Sequence, residues 1–418
     1  MATMGCARFD DFPDRLRTTL KAADHRQRRK HPSWKGKYKL GDAKGSKDLG
    51  AIKRQAKPQS NFREVSNLDT FLFGAGGKMK EIFSFENLYE AYRMTRRGKR
   101  AKSCVIRYEL HALEATKFLA DRISDRTYRM GKCIEFTVHE PKKRLIRAPL
   151  FRDRVVQQCL CKHILEPELD HRLIYDTYAC RKGKGTHKGL DRLEEMLRKH
   201  YRKNGTSGYF IKGDIAKYFK SIDHKELKNR MYPLLSKHKI EWILDQTIDN
   251  EQGVGINLGF QSSQWYANFY MSSFDHFVKE KLKVKHYIRY MDDWMAIVDS
   301  KEEANRILLE MKRYLKSELK LDTNKKTQIF PVKNGLDFLG FHTYLTDSGK
   351  VIRKIRRSSK QAMNRKMKTF KKKYKSGRIT KDQIDRSYSS WTGHASHGNC
   401  YKLRIDMDKK YKEIFKED

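Results

Sequence analysis

The chain has 418 residues, of which 92 are Lys or Arg and 51 are Asp or Glu, so its formal net charge is +41. Such an excess repels itself in a folded protein and is typical of proteins that bind a polyanion, most often nucleic acid. A generally basic surface without that partner is the alternative. The mean hydropathy of −0.84 and the lack of an apolar run of 18 residues do not suit a membrane protein.

The cysteines and the start of the chain indicate a cytoplasmic protein. The seven cysteines are scattered and include no Cys-x-x-Cys pair, which argues against a disulfide framework and against a zinc knuckle. The first 20 residues carry acidic side chains and lack the apolar segment of a secretory signal. We therefore expect reduced thiols in a cytoplasmic chain.

Residues 1–78 differ in composition from the rest of the chain. Residues 25–59 are basic, poor in large apolar side chains and without hydrophobic periodicity. Such a segment does not bury enough apolar surface to offset the entropy of ordering. It predicts a flexible basic arm, which either binds RNA or is a solvated tail.

From residue 83 onwards the pattern is that of a mixed α+β protein. Helical periodicity predicts helices at Phe85–Arg97, Tyr108–Ile123, Arg152–Ile164, Leu190–His200 and Glu302–Leu319. Strands are predicted at Cys133–His139 and Tyr209–Ile215, and the adjacent runs Lys285–Tyr290 and Trp294–Val298 predict a hairpin. Strands and helices mixed in this way favour an α+β core.

The C-terminal part has a long basic segment. Residues 351–378 contain thirteen Lys or Arg and no Asp or Glu, interleaved at a helical spacing with Ile355, Met363, Met367, Phe370 and Tyr374. Like charges at this spacing destabilise an isolated helix. We expect the helix to lie along phosphates; a solvated basic helix is the alternative.

Three aspartates stand where strands are predicted to end. Asp214 follows the apolar run from Tyr209, and Asp292 and Asp293 are adjacent at the tip of the predicted hairpin. Neighbouring carboxylates repel each other unless a cation lies between them, and Mg²⁺ prefers such oxygen ligands. Two ions about 4 Å apart can activate a 3′-hydroxyl and stabilise a leaving pyrophosphate. An ordinary surface turn is the alternative for the Asp-Asp pair alone.

The segments around these aspartates resemble the sequence blocks of reverse transcriptases. The blocks are DIAKYFKSIDH at 214–224, GFQSSQ at 259–264, YMDD at 290–293, NKKT at 324–327 and FLGF at 338–341. Upstream, EPKKRLI at 140–146, FRDR at 151–154 and YACRKGKGTH at 178–187 resemble the fingers of bacterial enzymes, and SWTGHA at 390–395 also fits. The resemblance extends from about residue 79 to residue 403.

Among bacterial enzymes the chain is most similar to the reverse transcriptases of diversity-generating retroelements. GxxxSQ replaces the QGxxxSP of retroviral-type enzymes, the chain has no maturase or endonuclease domain, and the segment FENLYEAY at 85–92 fits. The long basic arm, and Asn257–Leu258 where Pro-Ile is usual, depart from that pattern. The alternatives are a phage-defence reverse transcriptase acting on a dedicated non-coding RNA and, in another class, a non-catalytic RNA-binding scaffold or splicing helper.

The resemblance implies a right-hand polymerase that makes cDNA from an RNA template. The implied domains are the basic arm over residues 1–78, fingers over 79–203, a palm over 204–345 with part of the fingers interleaved, and a helical basic thumb over 346–418. The implied partners are the RNA template, cDNA or primer, dNTPs and a small basic accessory protein, without a membrane, in a bacterial or phage-infected cytoplasm. Two Mg²⁺ ions are the implied cofactors, with Mn²⁺ as a substitute.

The resemblance also implies the catalytic and metal-binding residues. Asp214, Asp292 and Asp293 are expected in the metal site, with the main-chain carbonyl of Ile215 completing the ligand shell. Lys326 is expected to protonate or neutralise the departing pyrophosphate, unless it is a plain helix-end lysine.

Further residues are implied to contact the incoming nucleotide or the template. Lys142 and Arg144 would bind triphosphate oxygens, Phe219 would exclude a 2′-hydroxyl, and Leu258 and Gln264 would lie along the template and nucleotide. An apolar Leu258, where accurate enzymes present Gln, implies error-prone copying. The alternatives are an exposed basic turn for the two cations and core packing for Phe219 and Leu258.

Overall fold

The computed structural model describes residues 81–139, 143–249 and 252–415. The predicted basic arm, and Lys142 in the predicted turn after the first strand, lie outside the described residues. Within those ranges, no helix combines the length and the apolar character needed to cross a membrane.

The described chain mixes helices and strands, as the sequence predicts. The helices are α1 (Phe85–Thr95), α2 (Ser103–Leu110), α3 (Ala112–Ser124), α4 (Phe151–Leu160), α5 (Glu166–Leu169), α6 (Thr186–Asn204), α7 (Tyr218–Ser221), α8 (His224–Leu235), α9 (Glu241–Ile248), α10 (Gln261–Tyr270), α11 (Ser272–His276), α12 (Lys301–Leu319), α13 (Arg357–Lys375), α14 (Lys381–Ala395) and α15 (Tyr401–Ile414). The strands are β1 (Ile134–Val138), β2 (Arg144–Ala148), β3 (Tyr209–Gly213), β4 (His286–Tyr290), β5 (Asp293–Val298), β6 (Gln328–Pro331), β7 (Leu336–Phe338), β8 (Phe341–Leu345) and β9 (Val351–Ile355).

Two predicted elements are wrong in part. The single helix expected over Tyr108–Ile123 is interrupted at His111, whose φ of −131° and ψ of 36° are not helical, so that α2 and α3 are separate. The helical segment expected from residue 351 begins with strand β9 instead. The buried residues of β9 alternate with more exposed ones, which is the period of a strand, and β9 pairs with β8.

The central sheet brings the chain segments of the three aspartates to one edge. Its strand order is β4-β5-β3-β6, and all neighbours are antiparallel. Gly213 at the end of β3 pairs with Trp294 of β5, and Tyr290 pairs with Asp293 across the β4–β5 turn. Asp214 therefore leaves β3 beside the turn that carries Asp292.

Both faces of the central sheet are covered, which explains why its strands read as apolar runs. Ile211 and Trp294 lie in one core cluster with residues of α10 and α12. Phe210 and Met295, their neighbours in sequence, lie in a second cluster with α6 and with Phe338 of β7. Successive residues of a strand point to opposite faces, so burial on both sides leaves little freedom to shift the register.

The C-terminal helices pack against the N-terminal part of α6. They share a core cluster with Leu190 of α6, and the buried guanidinium of Arg353 forms ion pairs with Asp191 and Glu194 on the same helix. The rings of His187 and His397 stack with centroids 3.5 Å apart. These two histidines therefore join helix α6 to the segment between α14 and α15.

Gly213 gives a direct test of the tight packing beneath Asp214. A Cβ atom at this position would overlap the fully buried ring of Trp294. We expect Gly213→Ala to destabilise the fold by about 2 kcal/mol or more, which is typical of overpacking. Thermal unfolding measures this, with Gly393→Ala in α14 as the control, because its Cβ would meet no atom within 4 Å. The control should gain up to about 1 kcal/mol from helix propensity; equal effects of the two variants would contradict the packing.

Candidate active site

The carboxyl groups of Asp214 and Asp292 meet at the edge of the central sheet. Burial, together with the charge of Asp214 and a side-chain hydrogen bond to it, raises the pKa of Asp292 to about 6. Two carboxylates in such contact repel each other when both are ionised, which favours the protonated form of Asp292.

Asp214 is fixed by the loop at residues 322–327. The main-chain N–H of Asn324 donates to the Asp214 carbonyl at 2.7 Å, and the Asn324 side-chain amide donates to Asp214 Oδ2 at 3.2 Å. The main-chain N–H of Asp214 donates to Thr327 Oγ1 at 3.4 Å. Asn324 and Thr327 belong to the block NKKT, so this block orients the first aspartate. Ile215 adds a β-bridge to Thr323, and its side chain is buried.

The Asp293 carboxylate forms an ion pair with Lys212, a mostly buried residue of β3 whose ammonium also lies 4.9 Å from the centre of the Phe338 ring. Burial lowers the pKa of Lys212 to about 7, although the Asp214 charge opposes this shift. The role of Asp293 as a metal ligand stays a prediction, because in this structure its side chain neutralises a buried lysine.

The donor set at Asp214 and Asp292 fits a hard divalent cation. Carboxylate oxygens are the ligands that Mg²⁺ prefers, and a cation between the two groups would relieve their mutual repulsion. In the part of the chain that the structure describes, no group of three or more His, Cys, Asp or Glu side chains is arranged to hold a metal. The side chains available to a cation here are therefore those of Asp214 and Asp292, with the Ile215 carbonyl as the predicted third ligand.

Arg144 is the predicted nucleotide contact that the structure brings to the carboxylates. It begins strand β2, is exposed, and lowers the pKa of Asp292 by its charge. The β1–β2 hairpin that carries it is joined to the block GFQSSQ, since the Arg147 N–H donates to the Leu258 carbonyl at 2.9 Å. A Cβ at Gly259, whose φ is +113°, would lie 2.5 Å from the Arg147 carbonyl oxygen, so this close approach needs glycine.

The remaining predicted residues surround the site without contacting the carboxylate pair. Phe219 is half-buried beside the core, and its ring meets that of buried Tyr218 edge-on at 5.9 Å. Gln264 is exposed and its side-chain oxygen accepts from Cys180 Sγ at 3.0 Å. Lys326 is exposed, and its main-chain N–H donates to Asn324 Oδ1 at 3.1 Å. Their roles toward nucleotide and pyrophosphate remain predictions.

Three charged residues at this site are not indicated by the sequence motifs. Lys212 and Arg289 stand inside apolar strands, and Asp275 lies on helix α11; Arg289 and Asp275 are completely buried. A charged residue within an apolar strand run was the available signal, because charges are rarely buried without a partner.

The raised pKa of Asp292 predicts how the stability of the metal-free protein depends on pH. A native pKa of about 6 for Asp292, against an ordinary 3.8, means that the fold binds this proton more tightly than the unfolded chain does. The carboxylate thus destabilises the metal-free fold fully above pH 6 and not below pH 4. We expect Asp292→Asn to stabilise the metal-free protein by roughly 2 kcal/mol at pH 7.5 and little at pH 4.

Chemical denaturation at the two pH values in EDTA measures this difference. Asp347→Asn is the control, because Asp347 is exposed in the turn after β8 and its replacement should change stability little at either pH. An Asp292→Asn variant with the same gain at both pH values would contradict the raised pKa of Asp292.

The segment of the chain that carries this site is similar to proteins of a known family. Residues 138–343 match the family of reverse transcriptases (RNA-dependent DNA polymerases). Protein YkfC of Escherichia coli K12 is 24% identical over 241 residues, which are 48% of this chain and 62% of that protein.

Two solved structures are similar to the chain at low identity. Telomerase from Candida albicans, in complex with a fragment of telomeric RNA, is 12% identical with a TM-score of 0.43, over 55% of this chain and 46% of that one. Apo telomerase from Candida tropicalis is 13% identical with a TM-score of 0.40, over 59% and 53%. The chain thus spans about half the length of these structures and less than two thirds of YkfC. The family match begins at Val138, ends within β8 and includes both carboxylates of the pair. Over residues 138–343, just under half of the chain, the protein is therefore similar to reverse transcriptases, and its mixed helices and strands agree with a right-hand polymerase fold.

Proposed function

We propose that the protein is an RNA-directed DNA polymerase that makes cDNA from an RNA template by metal-assisted nucleotidyl transfer. The observation that carries the proposal is the hydrogen-bonded pair of Asp214 and Asp292 within a reverse transcriptase domain. The charge of +41 fits a protein that holds an RNA–DNA duplex. A non-catalytic scaffold has no need of two carboxylates pressed together at a cost in stability.

Each residue of the site has a separate role in the proposed reaction. Asp214 and Asp292 would hold the two Mg²⁺ ions with the Ile215 carbonyl, and Asp293 with Lys212 sets the charge beside them. Arg144, with Lys142, orients the triphosphate, and Lys326 neutralises the departing pyrophosphate. When bound, the ions supply the positive charge that favours the 3′-alkoxide and stabilises the leaving group. The substitution of Mn²⁺ for Mg²⁺ is part of the proposal.

The C-terminal helices are proposed as the thumb that binds the duplex. Helix α13 buries Met363, Met367 and Phe370 on one face and exposes cations on the other. The exposed cations of its second half are Arg365, Lys366, Lys368, Lys371, Lys372, Lys373 and Lys375. Such a face supports contacts to phosphates. Residues 79–203 and 204–345 are the proposed fingers and palm.

The proposed partners are the RNA template, a cDNA or primer strand, dNTPs and a small basic accessory protein, in the cytoplasm of a bacterial or phage-infected cell. We infer that the biological role is error-prone copying in a diversity-generating retroelement. The resemblance of the sequence blocks and the apolar Leu258 support this role. A defence enzyme that copies a dedicated non-coding RNA is the competing role, and the genes beside this one distinguish the two: a template repeat with a variable target gene, or a defence cassette.

Removing one carboxylate of the pair tests the proposed chemistry. We expect Asp292→Asn to slow primer extension on an RNA template at least about a hundred-fold, because the metal site loses several kcal/mol of charge stabilisation. Affinity for the RNA–primer duplex should stay within about two-fold, since one charge among the many is changed. Single-turnover extension and filter binding measure the two quantities, with Asp347→Asn as the control. Extension by Asp292→Asn at the wild-type rate would refute the proposed site.

Phe219 tests the choice of sugar. If its ring lies under the sugar of the incoming nucleotide, Phe219→Ala opens space for a 2′-hydroxyl and increases rNTP use relative to dNTP use. Single-nucleotide extension with each substrate gives the ratio, and Tyr218→Phe is the control, because it removes only the hydroxyl that donates to the Ala267 carbonyl. An unchanged ratio in Phe219→Ala would show that the ring is core packing.

Leu258 tests error-prone copying. An apolar side chain gives no hydrogen-bond check on the nascent pair, whereas Gln adds about 1 kcal/mol of discrimination, a several-fold effect. We expect frequent misincorporation opposite template adenine by the wild type, and several-fold fewer errors in Leu258→Gln with extension retained. Sequencing of cDNA made in vitro measures both. Equally low wild-type errors opposite all four bases would remove this support for diversification over defence.

A further inference from the structure

We propose that the buried ion pair of Arg289 and Asp275 is a positioning element for the catalytic turn, which fixes the main chain before Asp292 and thereby sets the affinity of the site for its divalent cation. This inference rests on the proposed function only for its kinetic readout. It concerns two residues to which the sequence assigned no role.

Arg289 uses all of its donors inside the protein. Its Nε donates to Asp275 at 2.8 Å and one terminal nitrogen to the same carboxylate at 2.6 Å. The remaining N–H groups donate to the Asn268 side-chain oxygen at 3.1 Å, to the Asn268 carbonyl at 3.0 Å and to the Met291 carbonyl at 2.9 Å. A guanidinium has five N–H groups, and a lysine with three donors cannot reproduce this set.

The bond to Met291 links the ion pair to the site. Met291 has a φ of +57°, a left-handed conformation that is unfavourable for a residue with a side chain. Its carbonyl is held by Arg289 two residues earlier, and Asp292 follows directly. The guanidinium therefore stabilises the turn that gives the Asp292 carboxylate its direction.

The same network fixes the neighbouring segments. The Arg289 main-chain N–H donates to the Asp176 carbonyl at 3.0 Å, and its carbonyl accepts from the Tyr178 N–H at 3.1 Å. The Asn268 amide donates to the Ala179 carbonyl at 2.9 Å. One buried cation thus joins the catalytic turn to helix α10 and to the segment that begins the YACRKGKGTH block.

The complete burial of the pair makes it possible to test a stabilising role separately from a positioning role. Arg289, Asp275 and Asn268 have no exposed surface, and Tyr287 donates its hydroxyl to Asp275 at 2.7 Å. Replacing a buried ion pair by apolar residues of similar size is often neutral or stabilising. A structural role would therefore be retained in such a double variant, whereas the bond to the Met291 carbonyl would be lost.

The double variant Arg289→Met/Asp275→Leu separates the two roles. We expect a folded protein whose half-saturating Mg²⁺ concentration for primer extension rises at least ten-fold and whose kcat falls, with little change in affinity for the RNA–primer duplex. A second readout needs no catalysis: the rise in melting temperature on adding Mg²⁺ alone to the wild type should be lost. Arg313→Met is the control, because Arg313 pairs with Glu310 on the exposed side of α12 and its loss should leave both Mg²⁺ readouts unchanged.

Arg289→Lys covers the case in which the double variant does not fold. It keeps the charge beside Asp275 but has too few donors for Met291, so the same rise in the Mg²⁺ requirement is expected. A folded variant of either kind with wild-type Mg²⁺ half-saturation and thermal shift would overturn the inference. If the wild type does not extend primers at all, the proposed function fails, and the Mg²⁺ thermal shift alone decides the inference.

Discussion

The site depends on one electrostatic constraint: the carboxyl groups of Asp214 and Asp292 lie in contact at the edge of the central sheet. Gly213 at the end of β3 pairs with Trp294 of β5, so Asp214 and the β4–β5 turn lie side by side. Burial, together with the Asp214 charge, raises the pKa of Asp292 to about 6, and the surrounding structure supplies the free energy that keeps the two groups together. A divalent cation bound there, as proposed, would relieve the repulsion between them.

The packing around the sheet provides this rigidity. Both faces of the strands are buried, by α10 and α12 on one side and by α6 with β7 on the other. The loop with Asn324 holds Asp214 from one direction, and the Arg289 network holds the turn from the other. Lys212 balances Asp293, so the charge of the third aspartate is neutralised within the protein.

The sequence predicts much of the central sheet because its signals are local. The apolar run before Asp214 and the hairpin around residues 290–293 appear as β3, β4 and β5. The break at His111 and strand β9 were missed, because the helical and strand periods of short segments overlap there. Within residues 351–378, pairing with β8 decides the conformation of the first five residues.

The side-chain contacts within the site could not be predicted in the same way. The pairing of Arg289 with Asp275 joins residues 14 positions apart, and Lys212 reaches Asp293 across two strands. Such contacts depend on tertiary geometry and not on sequence spacing. The ordered sequence blocks indicated which segments meet, whereas only the structure shows that Asp293 faces Lys212.

The most direct test of this account is the location of the metal in the polymerase complex. Crystals of the protein with an RNA template, a primer and a non-hydrolysable dNTP can be soaked in Mn²⁺ and measured at the manganese absorption edge. The account predicts anomalous peaks in contact with the carboxylates of both Asp214 and Asp292, beside the triphosphate. Peaks elsewhere, or a nucleotide bound away from this pair, would contradict it.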